Sequence, residues 1–281
     1  MAGAASAPDG AVGEAAGRRH YSPRSNQGVD GMQYDGIEGK VAIVTGAGGG
    51  IGEAYARGLA AQGAKVAVAE IQKDAGERVA REIRDGGAEA LFVQVDVGSE
   101  DSTRAMAERT AKELGGIDFL VNNAAIFGDM KLAGLLSVDW DYYKHFMNVN
   151  MDGALLCTRA CLPALKQGGG AIVNQSSTAA WMGVGFYGLA KLGMNGLTQC
   201  LAAELGPQGI RINAIAPGPT DTEALKKTAG PVADQIVASL PLSRKGKPAD
   251  MVDTCLFLLS DAASWITGQV VNVDGGQIRR P

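Results

Sequence analysis

Tyr187 and Lys191 could form an acid–base pair, because side chains four residues apart lie on the same face of a helix. A phenol with its ordinary pKa of about 10 carries protons poorly at neutral pH. A lysine ammonium about 5 to 6 Å away, at an effective dielectric of about 20, favours the phenolate by roughly 3 kcal/mol, or about two pKa units. The spacing therefore predicts proton transfer at Tyr187, provided that the amine faces the phenol oxygen and a cofactor is bound.

A glycine-rich segment, TGAGGGIG at residues 45–52, follows the apolar run VAIV. Gly46, Gly50 and Gly52 allow a sharp turn, and the helix that follows offers its free N-terminal N–H groups to an anion. A strand before the segment and a helix after it favour a dinucleotide pyrophosphate site over a flexible loop. We therefore predict that Gly46, Gly50, Ile51 and Gly52 contact a dinucleotide.

Glu70 ends the second apolar run, eighteen residues after Gly52. A carboxylate at this point can accept hydrogen bonds from both hydroxyls of an adenosine ribose. It would also repel the additional phosphate of NADP. Gly49 occupies the position in the loop where a phosphate-binding arginine could lie. Both features favour NAD as the cofactor, while Lys73 nearby leaves NADP open.

Polar side chains also follow the third and fourth apolar runs. Asp96 could accept a hydrogen bond from the adenine amino group, and Asn122 and Asn123 could hold loop backbone beside the cofactor. A turn-capping role is equally open for these side chains. The cofactor contacts predicted for this part of the chain are Asp96, Val97, Asn123 and Ala124.

Strands and helices alternate from Lys40 onward. Short β-branched runs recur at 41–46, 65–70, 91–97, 117–125, 171–177, 210–218 and 269–276. Segments with helical periodicity lie between them, at 51–63, 99–114, 139–167, 186–205 and 248–260. This order predicts an α/β fold, a single Rossmann-type doubly wound parallel sheet of about seven strands with helices on both faces. Ligands of such sheets bind beyond the carboxyl ends of the strands, so the glycine loop and Tyr187 would meet at one rim.

The composition excludes several classes of function. The chain has 281 residues, 46% hydrophobic and 20% charged, which is typical of a soluble globular protein. Its net charge of −4 argues against a nucleic-acid partner. No apolar run approaches the roughly 20 residues that span a membrane. The four cysteines lack metal-ligand spacing, so we predict no metal site and a cytoplasmic location.

Six motifs resemble those of short-chain dehydrogenases/reductases, in the order that this family shows them. They cover residues 38 to 278 and are TGAGGGIG, NNAA, NQSS, YGLAK, APGPTDT and the stretch from PLSRKGK to VNVDGG. The resemblance implies Tyr187 as general acid/base and Ser177 as the donor that orients the substrate oxygen. It implies that Lys191 holds the nicotinamide ribose and lowers the tyrosine pKa, and that Asn150 anchors a water in a proton relay.

The resemblance also implies cofactor contacts in APGPTDT, where Thr222 meets the nicotinamide end and Thr220 offers backbone to the carboxamide. The full set predicted for this motif is Pro217, Gly218, Thr220 and Thr222. The family further implies a homotetramer that forms through the helices at 139–167 and 186–205. Residues 221–241 are expected to form a flexible lid over the substrate.

Two features depart from the family pattern. Ala125 stands where a glycine is usual, and the segment between Ser177 and Tyr187 is about one helical turn short. The choice between Ser176, Ser177 and Thr178 as substrate donor therefore stays open. A shortened segment also predicts a changed shape of the substrate entrance. An apolar or cyclic substrate is indicated by the side chains near this segment, which are Trp181, Met182, Val184 and Phe186.

These observations predict one SDR catalytic domain at 37–281, preceded by a disordered N-terminal tail at 1–36 that is poor in large apolar residues. Met32 is an alternative start. The predicted function is an NAD(H)-dependent oxidoreductase that interconverts a secondary alcohol and its ketone. The alternatives are an NADPH-dependent 3-oxoacyl-type reductase and a non-catalytic NAD-sensing or scaffold protein.

Overall fold

Seven parallel strands form one sheet in the computed structural model, which describes residues 32–279 apart from the side chains of residues 230–232. The strands are β1 (Val41–Thr45), β2 (Lys65–Glu70), β3 (Ala90–Gln94), β4 (Phe119–Asn122), β5 (Ala171–Gln175), β6 (Arg211–Pro217) and β7 (Val270–Val273). Their order across the sheet is β3-β2-β1-β4-β5-β6-β7. The order reverses between β1 and β4, and this switch point is where such sheets bind ligands.

Helices cover both faces of the sheet, which confirms the predicted Rossmann-type fold. Within residues 32–279 they are α1 (Gly50–Ala61), α2 (Lys73–Asp85), α3 (Glu100–Leu114), α4 (Trp140–Met147), α5 (Gly153–Leu165), α6 (Gly185–Leu205), α7 (Glu223–Ser239) and α8 (Pro248–Leu259). Helices α1, α2 and α8 pack on one face, and α3, α5 and α6 pack on the other.

The two cores are separated by the alternation of side chains along each strand. In β1, Ala42 and Val44 belong to the core under α1, while Val41 and Ile43 belong to the opposite core. All five residues of β1 are buried, because a parallel strand covered on both faces has no solvent side. Burying one such aliphatic side chain contributes about 1.5–3 kcal/mol, so the strands place the site on a rigid base.

The long helix predicted at 139–167 is divided in the structure. A π-helical segment, Asn148–Asp152, separates α4 from α5 and turns Asn150 inward until only 1% of it is exposed. Most of the predicted lid at 221–241 forms helix α7 and not an irregular segment, and its role as a lid stays a prediction. A non-helical residue, Ala229, interrupts this helix just before the Gly230–Pro231 pair, as expected next to a residue that lacks an N–H.

Two residues of the predicted tail contact the domain. The Tyr34 N–H donates to Gln62 Oε1 at 2.9 Å, and the Asp261 N–H donates to the Asp35 carbonyl at 3.0 Å. Residues 1–31, which carry the rest of the predicted tail, lie outside the described part of the chain. Within residues 32–279, every helix is too short or too polar to serve as a transmembrane span.

Candidate active site

Ser177, Tyr187 and Lys191 come together beyond the carboxyl end of β5. Ser177 follows the strand and lies beside Tyr187, where its hydroxyl acts to lower the pKa of the phenol; Tyr187 itself lies in the first turn of α6. The Lys191 ammonium lies 5.9 Å from the centroid of the Tyr187 ring. Lys191 is only 2% exposed, and its amine donates to the Gln175 carbonyl at 2.9 Å. The predicted helical spacing has therefore produced a buried cation next to a phenol.

The neighbouring hydroxyls are occupied elsewhere. Ser176 is buried and donates to Asn195 Oδ1 at 2.5 Å, and Thr178 donates to Gln277 Oε1 at 2.9 Å. Successive side chains at a strand end point to opposite sides, so only one of the two serines can face Tyr187. Of the three candidates left open by the sequence, Ser177 is the one beside the phenol.

The protein's own groups raise the pKa of Tyr187, whereas the lowered pKa predicted from the sequence includes the positive charge of a bound, oxidised nicotinamide. Burial raises the tyrosine pKa above its ordinary value, and the Ser177 hydroxyl opposes this only in part. Burial also lowers the pKa of Lys191 to about 8, because an ammonium without water is itself destabilised. The protein's own groups therefore do not produce the predicted lowering of the phenol pKa.

Asn150 lies in the π-helical segment, which packs against α6 where Met151 meets Gly193. Its Nδ2 donates to the Phe146 carbonyl at 3.0 Å. Its Oδ1 is buried and has no hydrogen-bond partner among the described residues. A buried amide oxygen of this kind is suited to accept a hydrogen bond, and the relay role of Asn150 stays a prediction.

The glycine loop has the shape that a close approach to a dinucleotide requires. Gly46 and Gly50 have φ angles of +63° and +57°, a region that favours glycine. A Cβ atom on Gly52 would lie 2.2 Å from the Gly46 carbonyl oxygen. The free N–H groups of α1 follow directly, so these residues fit the pyrophosphate of a dinucleotide.

Asn123 and Thr45 hold this loop in place. Asn123 Nδ2 donates to the Thr45 and Gly46 carbonyls, at 3.0 Å each. Thr45 Oγ1 accepts the N–H groups of Asn123 and Ala124, at 3.0 and 3.1 Å. Thr45 was not predicted from the sequence, where a threonine ending a strand carries no distinctive signal.

Asn122 does not hold the loop, and that prediction is wrong. Its Nδ2 donates to Asn174 Oδ1 of the neighbouring strand at 2.9 Å. The side chain is buried and also lies near the Thr158 hydroxyl of α5. Adjacent residues of a strand point to opposite faces, so Asn122 and Asn123 cannot share one role.

Gly52→Ala should weaken dinucleotide binding. The added methyl group would overlap the Gly46 carbonyl oxygen, and displacing packed backbone typically costs about 1–3 kcal/mol. We expect the dissociation constant for NADH, measured by fluorescence titration, to rise by at least about tenfold.

Gly49→Ala is the matched control, because a Cβ atom on Gly49 meets nothing within 4 Å and its φ of −174° suits any residue. Equal affinities of the two variants would contradict the role assigned to the close contact at Gly52.

Glu70 is 8% exposed, and its carboxylate is largely occupied by backbone N–H groups. Oε1 accepts from Ile71 and Gln72 at 2.9 and 3.0 Å, and Oε2 accepts from Gly48 at 3.0 Å. A carboxylate has about four acceptor positions, so one position remains, on Oε2. This position is available to a ribose hydroxyl, and the prediction that Glu70 binds both hydroxyls stays a prediction.

The other predicted cofactor residues lie along the same rim or directly beneath it. Asp96 is exposed, and its Oδ1 accepts the Gly98 N–H at 2.9 Å, as in a turn cap. Val97 is 7% exposed and packs against Gly153, and Ile51 packs on the core under α1. The cofactor contacts predicted for Ile51 and Val97 stay predictions.

The loop after β6 approaches the glycine loop. Pro217 ends β6, and Gly218 lies so close to Asp274 that a Cβ atom would be 2.8 Å from its Cα. Thr220 is buried and donates to the Gly218 carbonyl at 3.0 Å. Thr222 caps α7, and its methyl group would be 3.6 Å from a Cβ atom on Gly50. Thr222 thus lies beside the predicted pyrophosphate position.

Apolar side chains surround the Tyr187 ring. Phe127, which was not predicted, lies with its ring centroid 5.1 Å from that of Tyr187. Met182 and Val184, in the segment between Ser177 and Tyr187, are 40% and 44% exposed. Phe186 is instead buried and packs edge-on against Phe146 at 4.7 Å, so it belongs to the core.

Helix α7 contacts the segment that carries Phe127. The Thr228 hydroxyl donates to the Phe127 carbonyl at 2.6 Å, and Lys227 forms an ion pair with Asp129 at 3.6 Å. The described residues hold no cluster of three or more His, Cys, Asp or Glu side chains able to ligate a metal ion.

Comparison with known proteins places this geometry in a family. Residues 46–277 match the family model described as enoyl-(acyl carrier protein) reductase. An uncharacterized oxidoreductase of Mycobacterium tuberculosis is 61% identical over 87% of this chain and 99% of its own length. The cis-4-hydroxycyclohexanecarboxylate dehydrogenase of Sinomonas cyclohexanicum is 39% identical over 84% of this chain and 96% of its own.

A 3-oxoacyl-[acyl-carrier-protein] reductase of Synechocystis sp. is 40% identical over 86% of this chain and 98% of its own. Among solved structures, a 7α-hydroxysteroid dehydrogenase complexed with NADH and 7-oxo glycochenodeoxycholic acid superposes with a TM-score of 0.80. That protein is 34% identical, and the match covers 87% of this chain and 96% of the other. The chain therefore belongs to the short-chain dehydrogenase/reductase family of nucleotide-dependent oxidoreductases.

Proposed function

We propose that this protein is an NAD(H)-dependent oxidoreductase that interconverts a secondary alcohol and its ketone. The observation that carries the proposal is the buried Lys191 ammonium 5.9 Å from the centroid of the Tyr187 ring, with Ser177 beside the same tyrosine. The glycine loop lies along the same rim of the sheet, so an alcohol carbon and a dinucleotide could meet there.

In the proposed reaction Tyr187 accepts the hydroxyl proton of the alcohol, and in the reverse direction it returns the proton to the ketone oxygen. The Ser177 hydroxyl orients that oxygen. A bound nicotinamide ring supplies the hydride acceptor and, when oxidised, a positive charge near the phenol. Lys191 adds its own charge, and together these would counter the effect of burial on the phenol pKa. Asn150 is proposed to anchor a water in the proton relay.

The preference for NAD is supported by the surroundings of the loop. Glu70 holds its charge beside Gly48, where a phosphate on the adenosine ribose would be repelled. Gly49 stands at the loop position where an arginine could bind that phosphate. Glu70 keeps one acceptor position, which is enough to bind a ribose hydroxyl.

An apolar or cyclic substrate is supported by Phe127 beside the Tyr187 ring and by the exposed Met182 and Val184 in the segment before it. Two relatives act on or bind ring-shaped molecules according to their names, a hydroxycyclohexanecarboxylate and a hydroxysteroid. A homotetramer and a cytoplasmic location are proposed from the family resemblance. Leu189 and Leu192, both exposed on α6, are apolar side chains that such a contact would cover.

The direct test is a panel of secondary alcohols, ring-shaped and linear, assayed with NAD and with NADP by the absorbance of the reduced cofactor. We expect turnover of cyclic alcohols, with kcat/KM for NAD at least about tenfold above that for NADP, equivalent to about 1.4 kcal/mol of discrimination at the 2′-position.

The same assay, extended to ketones and 3-oxoacyl thioesters with NADH and NADPH, distinguishes the proposed function from the two alternatives. The 3-oxoacyl-type reductase is favoured by the name of the matching family model and by the Synechocystis relative. A clear preference for NADPH together with reduction of 3-oxoacyl thioesters would establish it instead. Binding of NAD without turnover of any alcohol or ketone would favour the sensing protein.

A further inference from the structure

Arg78 of α2 reaches across to the glycine loop. Its Nη2 donates to the Gly48 carbonyl at 3.0 Å and to Glu53 Oε2 at 2.7 Å. Its Nη1 donates to Glu53 Oε1 at 3.2 Å and to Glu82 Oε2 at 3.1 Å. The guanidinium thus joins the loop to α1 and to its own helix through a fork-like contact with one carboxylate.

Gly48 is therefore held at both ends. Its N–H donates to Glu70 Oε2 at 3.0 Å, and its carbonyl accepts from Arg78 at 3.0 Å. A Cβ atom at this position would lie 2.9 Å from both Glu70 and Ala75, so nothing larger than glycine fits. A run of three glycines has the greatest backbone freedom to lose, and two charged partners on Gly48 restrict it before any ligand binds.

The Arg78 side chain is itself kept in place. Arg57 of α1 also contacts Glu53 and Glu82, which gives a cluster of two cations and two anions in alternation. Exposed ion pairs contribute little singly, but a network with a bidentate arginine restrains each member. Arg78 is thus directed at the Gly48 carbonyl and held away from free rotation in solvent.

We propose that Arg78 is a positioning residue of the dinucleotide site, which with Glu70 fixes Gly48 and so shapes the loop for the adenosine ribose and pyrophosphate. Neither Tyr187 nor the apolar residues near it belong to this arrangement around Gly48. The proposal rests on the binding of a dinucleotide at the loop, whether NAD or NADP, and not on the reaction catalysed. Its effect should appear in cofactor affinity and leave the chemical step unchanged.

The test uses Arg78→Ala, with Arg81→Ala as control, because Arg81 is an exposed arginine on the same helix. The probe is ADP-ribose, which carries the adenosine and pyrophosphate and lacks the nicotinamide. Loss of a charge-assisted hydrogen bond should weaken binding of both ADP-ribose and NADH by about tenfold or more in calorimetry. The value of kcat at saturating cofactor should stay within about twofold, since no transition-state contact is removed.

Arg78→Lys keeps the charge but loses the fork, so its affinity should lie between those of the wild type and Arg78→Ala. If Arg78→Ala does not fold, Arg78→Lys against Arg81→Lys makes the same comparison. Equal ADP-ribose affinity in the Arg78 variants and their controls would overturn the proposal. So would a loss confined to NADH. A wild-type preference for NADPH would defeat the NAD assignment and leave the ADP-ribose test intact.

Discussion

Tyr187→Phe should lower kcat by at least about two orders of magnitude, since general acid–base catalysis contributes about 10²–10⁴-fold. The substitution removes only the hydroxyl, so the ring can keep its packing against Phe127. The Ser177 hydroxyl would remain to orient the substrate oxygen without a proton acceptor beside it. The dissociation constant for NADH should change by less than about threefold, because the phenol acts on the substrate.

Tyr143→Phe is the matched control, because it also removes one phenol hydroxyl and Tyr143 stacks on Trp140 within α4. It should retain wild-type turnover. The measurement is steady-state kinetics at saturating cofactor with the best alcohol of the panel. Undiminished turnover by Tyr187→Phe would remove the basis for the proposed mechanism and favour a sensing role.

Lys191→Met should have the second large effect and a different signature. Loss of the charge near the phenol is worth about two pKa units at the tyrosine, so kcat should fall by up to about 100-fold. By family resemblance Lys191 also holds the nicotinamide ribose, and NADH binding should weaken as well. Tyr187→Phe spares cofactor binding, so the two variants separate the proton-transfer role from the ribose role.

The difference in unfolding free energy between the wild type and Lys191→Met should depend on pH, because the wild type carries the titrating amine. Burial lowers the pKa of Lys191 from its ordinary 10.5 to about 8, so in this interval the unfolded chain binds more protons than the folded one. The cost of the buried charge is fully present below pH ~8 and is relieved as the pH rises to ~10.5. Relative to Lys191→Met, the wild type should therefore gain roughly 3 kcal/mol of unfolding free energy across this range.

The unpaired Gln175 carbonyl in Lys191→Met adds an offset that does not depend on pH. The measurement is urea unfolding of both proteins at several pH values, with Lys112→Met as control, since Lys112 is exposed on α3. A difference that stays constant between pH ~8 and ~10.5 would show that the amine is not buried as a cation.

Much of the architecture follows from the sequence alone. The β-branched runs and the helical segments between them predicted a parallel sheet covered on both faces, and the structure has seven such strands. The spacing of Gly46, Gly50 and Gly52 predicted a tight turn before α1, which the positive φ angles bear out at Gly46 and Gly50. These features repeat over short distances, and local backbone preference and burial are sufficient to specify them.

The partners of individual polar groups could not be predicted in this way. Ser176 and Ser177 are adjacent, yet one donates to Asn195 and the other lies beside Tyr187. Asn122 and Asn123 likewise separate, one into the core and the other onto the loop. The choice depends on which side chains from distant segments arrive on each face of the sheet, and a spacing rule carries no information about them.

The electrostatics of the site were also decided by the tertiary structure. The sequence placed Tyr187 and Lys191 on one face of a helix, but it did not predict that the surrounding fold would shift both pKa values toward the neutral forms. Glu70 was identified from its place at the end of β2. Its three backbone donors, and the contact of Arg78 with the Gly48 carbonyl, appear only in the folded chain. Spacing along a helix or strand is a local property, while desolvation and charge pairing depend on the whole fold around each group.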